Sequence, residues 1–171
     1  MPAIVLFQPQ IPPNTGNVGR TCAATATPLH LIEPLGFAID DRTLRRAGLD
    51  YWPLIDLHRH ADWRAFQALR RGSGRLIALS SHASQSYASF RFAVDDWLLF
   101  GRETDGLPDA VLVEADAALT IPMPQQARTG QSGVRSLNLS VSVGVVLFEA
   151  LRQLGSTADA GVAGTTGSHL S

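Results

Sequence analysis

The chain has 171 residues, 45% of them hydrophobic and 17% charged, a size suited to one compact core that buries roughly two thirds of the unfolded surface. Its formal charge of -1 excludes a protein that lives on non-specific phosphate contacts, which would be strongly basic, and leaves nucleic-acid affinity to a local patch. The lone Cys22 excludes an intramolecular disulfide and agrees with a reducing cytosol, and no apolar run approaches the roughly 18 residues of a membrane span.

In chain order, the N-terminus runs without a basic leader into the apolar segment Ile4 to Phe7, the first predicted strand. The absence of a leader makes the protein an expected soluble, cytoplasmic one. Leu29 to Ile32, Leu54 to Leu57, Leu76 to Leu79, Trp97 to Phe100 and Ala118 to Ile121 read as further strands, several apolar on both faces as buried parallel strands are. Between them, helices are predicted over Asn17 to Ala26, Asp41 to Ala47, Ala61 to Arg71 and Asp109 to Glu114, with Gly48 and Gly72 as stops. The valine-rich segment Leu137 to Leu154 is too long for a strand, and Leu137, Val141, Val145, Phe148 and Leu151 recur at helical spacing. After Gly155 the composition collapses to Ser, Thr, Ala and Gly. The expected organisation is one α/β domain over residues 1–155, a mostly parallel sheet with helices on both faces, and a disordered tail over 156–171.

Three polar, glycine-bearing stretches stand where a strand or loop meets a helix: Asn14 to Thr21, Phe100 to Pro108, and Arg135 to Ser140. In α/β proteins such junctions carry the chemistry. No Gly-x-Gly-x-x-Gly follows the first strand, and the glycines at 130 and 133 lack the Lys-Ser/Thr of a phosphate loop. The five histidines are scattered without i, i+4 pairs, so no metal is expected. Arg20 lies one turn into a helix opened by Gly16-Asn17, near its positive end, where a phosphate or ribose hydroxyl can be received; a solvated helix arginine is the plain alternative. Asn14, behind two prolines, reads equally as a turn residue. Cys22, flanked by Ala23, Ala24 and Thr25, reads as a buried small side chain and not as a nucleophile. Glu103 follows a buried strand between two glycines that let a ligand approach the main chain, although Glu103 and Asp105 also suit caps for the helix after Pro108. Ser136 and Asn138 are good caps for the last helix, and the polar stretch Gln125 to Val134 before them is long for a connection. Arg42, Arg45 and Arg46 form a closely spaced basic cluster fit to hold RNA.

Five stretches stand in a familiar order: Pro12-Pro13-Asn14-Thr15-Gly16-Asn17, Ile32-Glu33-Pro34-Leu35-Gly36-Phe37, Leu44 to Tyr51, Gly101-x-Glu103-x-x-Gly106-Leu107-Pro108, and Ser136-x-Asn138-Leu139-Ser140. Together they resemble the SPOUT superfamily of S-adenosylmethionine-dependent RNA methyltransferases, and within it the YibK-like tRNA 2'-O-methyltransferases of the wobble nucleotide. The resemblance covers roughly residues 1 to 154. It implies a C-terminal segment threaded into a deep trefoil knot, an exception to the rule that chains do not knot. It also implies an S-adenosyl-L-methionine site at Leu79, Gly101, Ile121, Ser136 and Leu137, and methyl transfer without a metal to the 2'-oxygen of cytidine or modified uridine 34, with tRNA-Leu as the substrate. The implied assembly is a homodimer in which Arg20 of one subunit faces the cofactor of the other, with no membrane or DNA partner. Arg20, a guanidinium that stays protonated, is then the binder of the target phosphate or hydroxyl, with Asn14, Glu103, Ser136 and Asn138 as orienting partners. The stretch Met123 to Arg135 is longer than that branch uses, and the tail has no counterpart in it. A different RNA site, in rRNA or elsewhere in tRNA, and a noncatalytic RNA-binding role remain the competing readings.

Overall fold

A computed structural model describes residues 1–37, 51–124 and 136–155. Among them, seven strands form one sheet: β1 (Ala3–Phe7), β2 (Leu29–Ile32), β3 (Leu57–His60), β4 (Leu76–Leu79), β5 (Gln85–Ser86), β6 (Trp97–Phe100) and β7 (Ala117–Thr120). Their spatial order is β3-β2-β1-β6-β4-β7-β5, and every pairing is parallel. The helices are α1 (Pro12–Thr25), α2 (Trp63–Arg70), α3 (Asp109–Leu112) and α4 (Leu139–Gln153).

The central strand β1 is buried at all five positions, and its alternation divides the core. Ile4 and Leu6 join Leu29, Leu31, Ile77, Leu98 and Leu119 on one face, which α1 and α4 cover with Val18, Cys22, Val143, Val146, Leu147 and Ala150. Val5 and Phe7 point the other way with Ile32, Leu76, Ala78 and Leu99, under Phe66 of α2 and Val111 of α3. Continuous apolar strands are the signature of a sheet buried on both faces. All seven strands are parallel, so their carboxyl ends lie along one edge, where the loops after β1, β4, β6 and β7 converge.

Several boundaries differ from expectation. Helix α1 begins at Pro12, five residues before the expected Asn17, because proline is tolerated in a first helical turn, where its missing N–H has no partner to lose. Arg20 therefore stands in the third turn and not beside the helix end. The strand expected over Leu54 to Leu57 begins only at Leu57; Trp52–Leu54 forms a 3-10 turn around Pro53, with Leu54 75% exposed. The two-residue β5 was not anticipated, since Gln85 and Ser86 carry no apolar signal. Gly72 ends α2 as expected, with a φ of 80°. The expected helix Asp41 to Ala47 with its basic cluster Arg42, Arg45 and Arg46, its stop Gly48, the polar stretch Gln125 to Val134 and the tail after Gly155 lie outside the described residues.

Three of the histidines that look scattered in sequence are gathered by the sheet. In-register pairing of β2 with β3 sets His30 opposite His58, with interplanar angles of 9° to His58 and 11° to His60. His30 Nδ1 and His60 Nε2 are 2.9 Å apart, and Phe66 and Trp97 close over His30 edge-on. No group of three His, Cys, Asp or Glu side chains among the described residues is arranged to hold a metal ion.

Candidate active site

Beyond the carboxyl ends of β4, β6 and β7 lies a cavity of about 700 Å³. Its walls are the segments that follow those strands, together with Asn14 of α1 and the approach to α4. Each predicted cofactor position, Leu79, Gly101, Ile121, Ser136 and Leu137, lines it, as do Asn14, Glu103 and Asn138. A pocket of this size, with apolar side chains such as Leu79, Phe100, Ile121 and Leu137 interleaved with polar ones, matches a nucleoside-sized ligand. Arg20 is not part of the lining. It is exposed on α1, with its guanidinium carbon 5.7 Å from the ring centre of Tyr51. Tyr51 in turn donates its hydroxyl to the Gly16 carbonyl at 2.8 Å.

The wall after β6 is a closed hairpin. Arg102 N–H donates to the Gly106 carbonyl and Gly106 N–H to the Arg102 carbonyl, at 3.1 and 3.0 Å. Gly106 holds a φ of 74°, a conformation that favours glycine. A Cβ on Gly101 would collide with the backbone of Gly106 and Leu107, so the tight closure requires glycine there.

Glu103 does not cap the helix after Pro108, whose first turn has no side-chain cap. Its carboxylate instead crosses to the amino end of α1. One oxygen accepts from Gln10 N–H at 2.8 Å; the other accepts from Ile11 N–H and from Asn14 Nδ2, both at 3.2 Å. Helix α1 has no side-chain cap on its own N-cap residue, so a carboxylate from 92 residues downstream meets the backbone there, near the positive end of the helix. Asn14 Oδ1 accepts from Asn138 Nδ2 at 2.9 Å, and Asn138 Oδ1 accepts from the N–H and hydroxyl of Ser140 at 2.9 and 2.8 Å, capping α4. The donors run one way, from Ser140 through Asn138 and Asn14 to Glu103. Both amides have their oxygens and one N–H committed, which suits them to hold geometry and not to exchange protons. Ser136 stands exposed on the rim.

Cys22 is buried in the α1–α4 side of the core, and burial pushes its thiol up to about 12, so it carries no thiolate chemistry. Sequence reasoning missed Ser80, Ser81, His82, Arg102 and Thr104 of the lining. Their one signal was position, immediately after the ends of predicted strands.

An all-parallel sheet with a ligand-sized cavity outside its carboxyl strand ends defines an α/β protein of the class whose small-molecule sites lie at that edge. The chain belongs to the SpoU rRNA Methylase family, whose model matches residues 1–148. A protein of Polaromonas described as a tRNA (cytidine(34)-2'-O)-methyltransferase is 49% identical over 154 residues, 89% of this chain and 90% of that one. A solved structure concerned with the 2-OH methylation of C/U34 on tRNA superposes with a TM-score of 0.80 at 50% identity, covering 91% of this chain and 97% of its own. An AdoMet-bound rRNA methyltransferase from Sinorhizobium meliloti gives a TM-score of 0.74 at 27% identity, over 90% of this chain and 56% of that one. Among the described residues, no helix is long and apolar enough to cross a membrane.

Proposed function

We propose that this protein is a cytoplasmic tRNA methyltransferase that transfers a methyl group from S-adenosyl-L-methionine to the ribose 2'-oxygen of nucleotide 34, with tRNA-Leu as its substrate. The observation that carries the reading is the junction of Asn14, Glu103 and Asn138 at the mouth of the cavity, in a chain whose relatives at about half identity are described as acting on cytidine 34. The residues present fit the cofactor: Leu79, Ile121 and Leu137 offer apolar surface to an adenine ring, and the glycine hairpin brings its backbone close. When bound, the sulfonium supplies an activated methyl group, so the protein's own task is to align the ribose oxygen and exclude competing geometries. Glu103 and Asn138 hold Asn14 at the cavity edge, Ser136 flanks it, and Arg20 receives the RNA phosphate or hydroxyl from the neighbouring subunit. No metal takes part.

Residues 1–155 act as one domain, with the segment from Ser136 threaded through the cavity loops as a trefoil knot. What supports the threading is that the entry to α4 lines the same cavity as the segments after β4, β6 and β7, and that Asn138 there meets Asn14. A homodimer built on α1 and α4 accounts for the apolar side chains of Val141 and Phe148, left 49% and 51% exposed on α4. Light scattering that found an active monomer would exclude it. Arg42, Arg45 and Arg46 form the tRNA contact. The deciding experiment maps ribose methylation in RNA from a strain lacking the gene. Loss at nucleotide 34 of tRNA is expected; intact methylation there, with loss at an rRNA position, overturns the substrate assignment.

A further inference from the structure

The hairpin that carries Glu103 is clamped from three directions by a residue with no role in the reading above. Arg102 donates Nε and Nη2 to the two oxygens of Asp105, each at 2.6 Å, and Nη1 to Gln8 Oε1 at 2.8 Å. Its guanidinium carbon also sits 5.7 Å from the ring centre of Phe7, the buried last residue of β1. The partners belong to the two segments that Glu103 joins. Asp105 lies in the hairpin, while Phe7 and Gln8 begin the crossing from β1 to α1. Gln8 takes a φ of 48°, uncommon outside glycine, and turns the chain sharply there. Beside this clamp, Thr104 donates its hydroxyl to Gln10 Oε1 at 2.8 Å.

An exposed i, i+3 ion pair alone contributes little. Here the pair has a further function, because Asp105 orients a planar fork whose third donor reaches the other segment. We propose that Arg102 is a positioning residue: fixed by Asp105, Gln8 and Phe7, it holds the hairpin against the 8–11 crossing so that the Glu103 carboxylate meets the Asn14 amide. Although Arg102 borders the cavity, its guanidinium nitrogens are committed to Asp105 and Gln8, so it acts through Glu103 and not on the RNA or the cofactor. The inference rests on the proposed methyl transfer and deepens it.

The test compares Arg102→Met, which keeps an apolar stem over Phe7 but removes the donors, with Glu103→Gln and with the double variant, all as full-length protein. The readouts are kcat and KM for tRNA methylation, calorimetric affinity for S-adenosyl-L-methionine, and melting temperature. Arg102→Met is expected to lower kcat about tenfold, leaving cofactor affinity and KM within twofold. In the Glu103→Gln background it should cost nothing further, since residues acting as one unit are non-additive. A full tenfold loss added to that of Glu103→Gln, a loss confined to KM or cofactor affinity, or an unchanged kcat beside an impaired Glu103→Gln overturns the inference. Full activity in Glu103→Gln overturns instead the reading of the site. If Arg102→Met does not fold, Asp105→Asn, which removes the orienting charge at constant shape, carries the same expectation and the same refutations.

Discussion

Acidification tests the histidine stack on β2 and β3. His30 is only 4% exposed, and its pKa is lowered from 6.5 to about 4, first by burial and then by the nearby imidazoles of His58 and His60, with Asp56 opposing. The unfolded chain takes up a proton near 6.5 that the folded chain refuses until about 4. His30 therefore contributes its full stability above the unfolded pKa and loses it as pH falls between the two values. At about 1.4 kcal/mol per pH unit, the interval amounts to on the order of 3 kcal/mol. His60 is lowered by burial and then by His58, and adds to the trend. Glu149, held down to about 2 by Arg152 and Gln153, loses its contribution only as pH falls below about 4.5, so the window from about pH 6.5 to about 4.5 reports the histidines. Urea unfolding at several pH values in that window should show stability falling by at least about 1.4 kcal/mol per unit. His30→Phe should reduce that slope by about one proton. Equal slopes in the two proteins, or a flat profile in the wild type, would refute the assignment.

Three further outcomes are expected. Gly101→Ala forces the hairpin open against Gly106 and should weaken S-adenosyl-L-methionine binding at least tenfold by calorimetry while circular dichroism stays unchanged. Arg20→Ala should abolish methyl transfer yet leave cofactor affinity within twofold, because Arg20 stands outside its own chain's cavity; a parallel collapse of cofactor binding would show that its role is misassigned. Replacing both Arg45 and Arg46 by alanine should weaken tRNA binding about tenfold, roughly 1.4 kcal/mol, and flatten its salt dependence; filter binding with unchanged affinity and slope would move the RNA site elsewhere.

The strands were legible because burial on both faces leaves runs such as Ala3 to Phe7 and Leu76 to Leu79 without polar interruption. That signal failed at Leu54, whose hydrophobicity belongs to an exposed turn, and at β5, where pairing with β7 and not side-chain chemistry makes the strand. The site was legible as three segments, since glycines and caps mark each in isolation. Its joints were not. That Glu103 serves the amino end of α1 and not the nearer helix, and that Asn138 reaches Asn14, are facts of tertiary approach with no local periodicity. The histidine stack was hidden for the same reason: β2 and β3 bring His30 and His58 together by register, which local spacing does not encode.

The bond from Asn138 to Asn14 spans 124 positions of the chain, and this has a kinetic consequence. Loop-closure entropy must be met before so distant a contact returns any energy, and parallel pairings such as β1 with β6 carry the same cost. During synthesis the amino end of α1 emerges long before the Glu103 carboxylate that meets it, and longer still before α4 docks. The candidate site is thus among the last features to assemble, and activity recovered after dilution from urea should lag behind the return of helical signal.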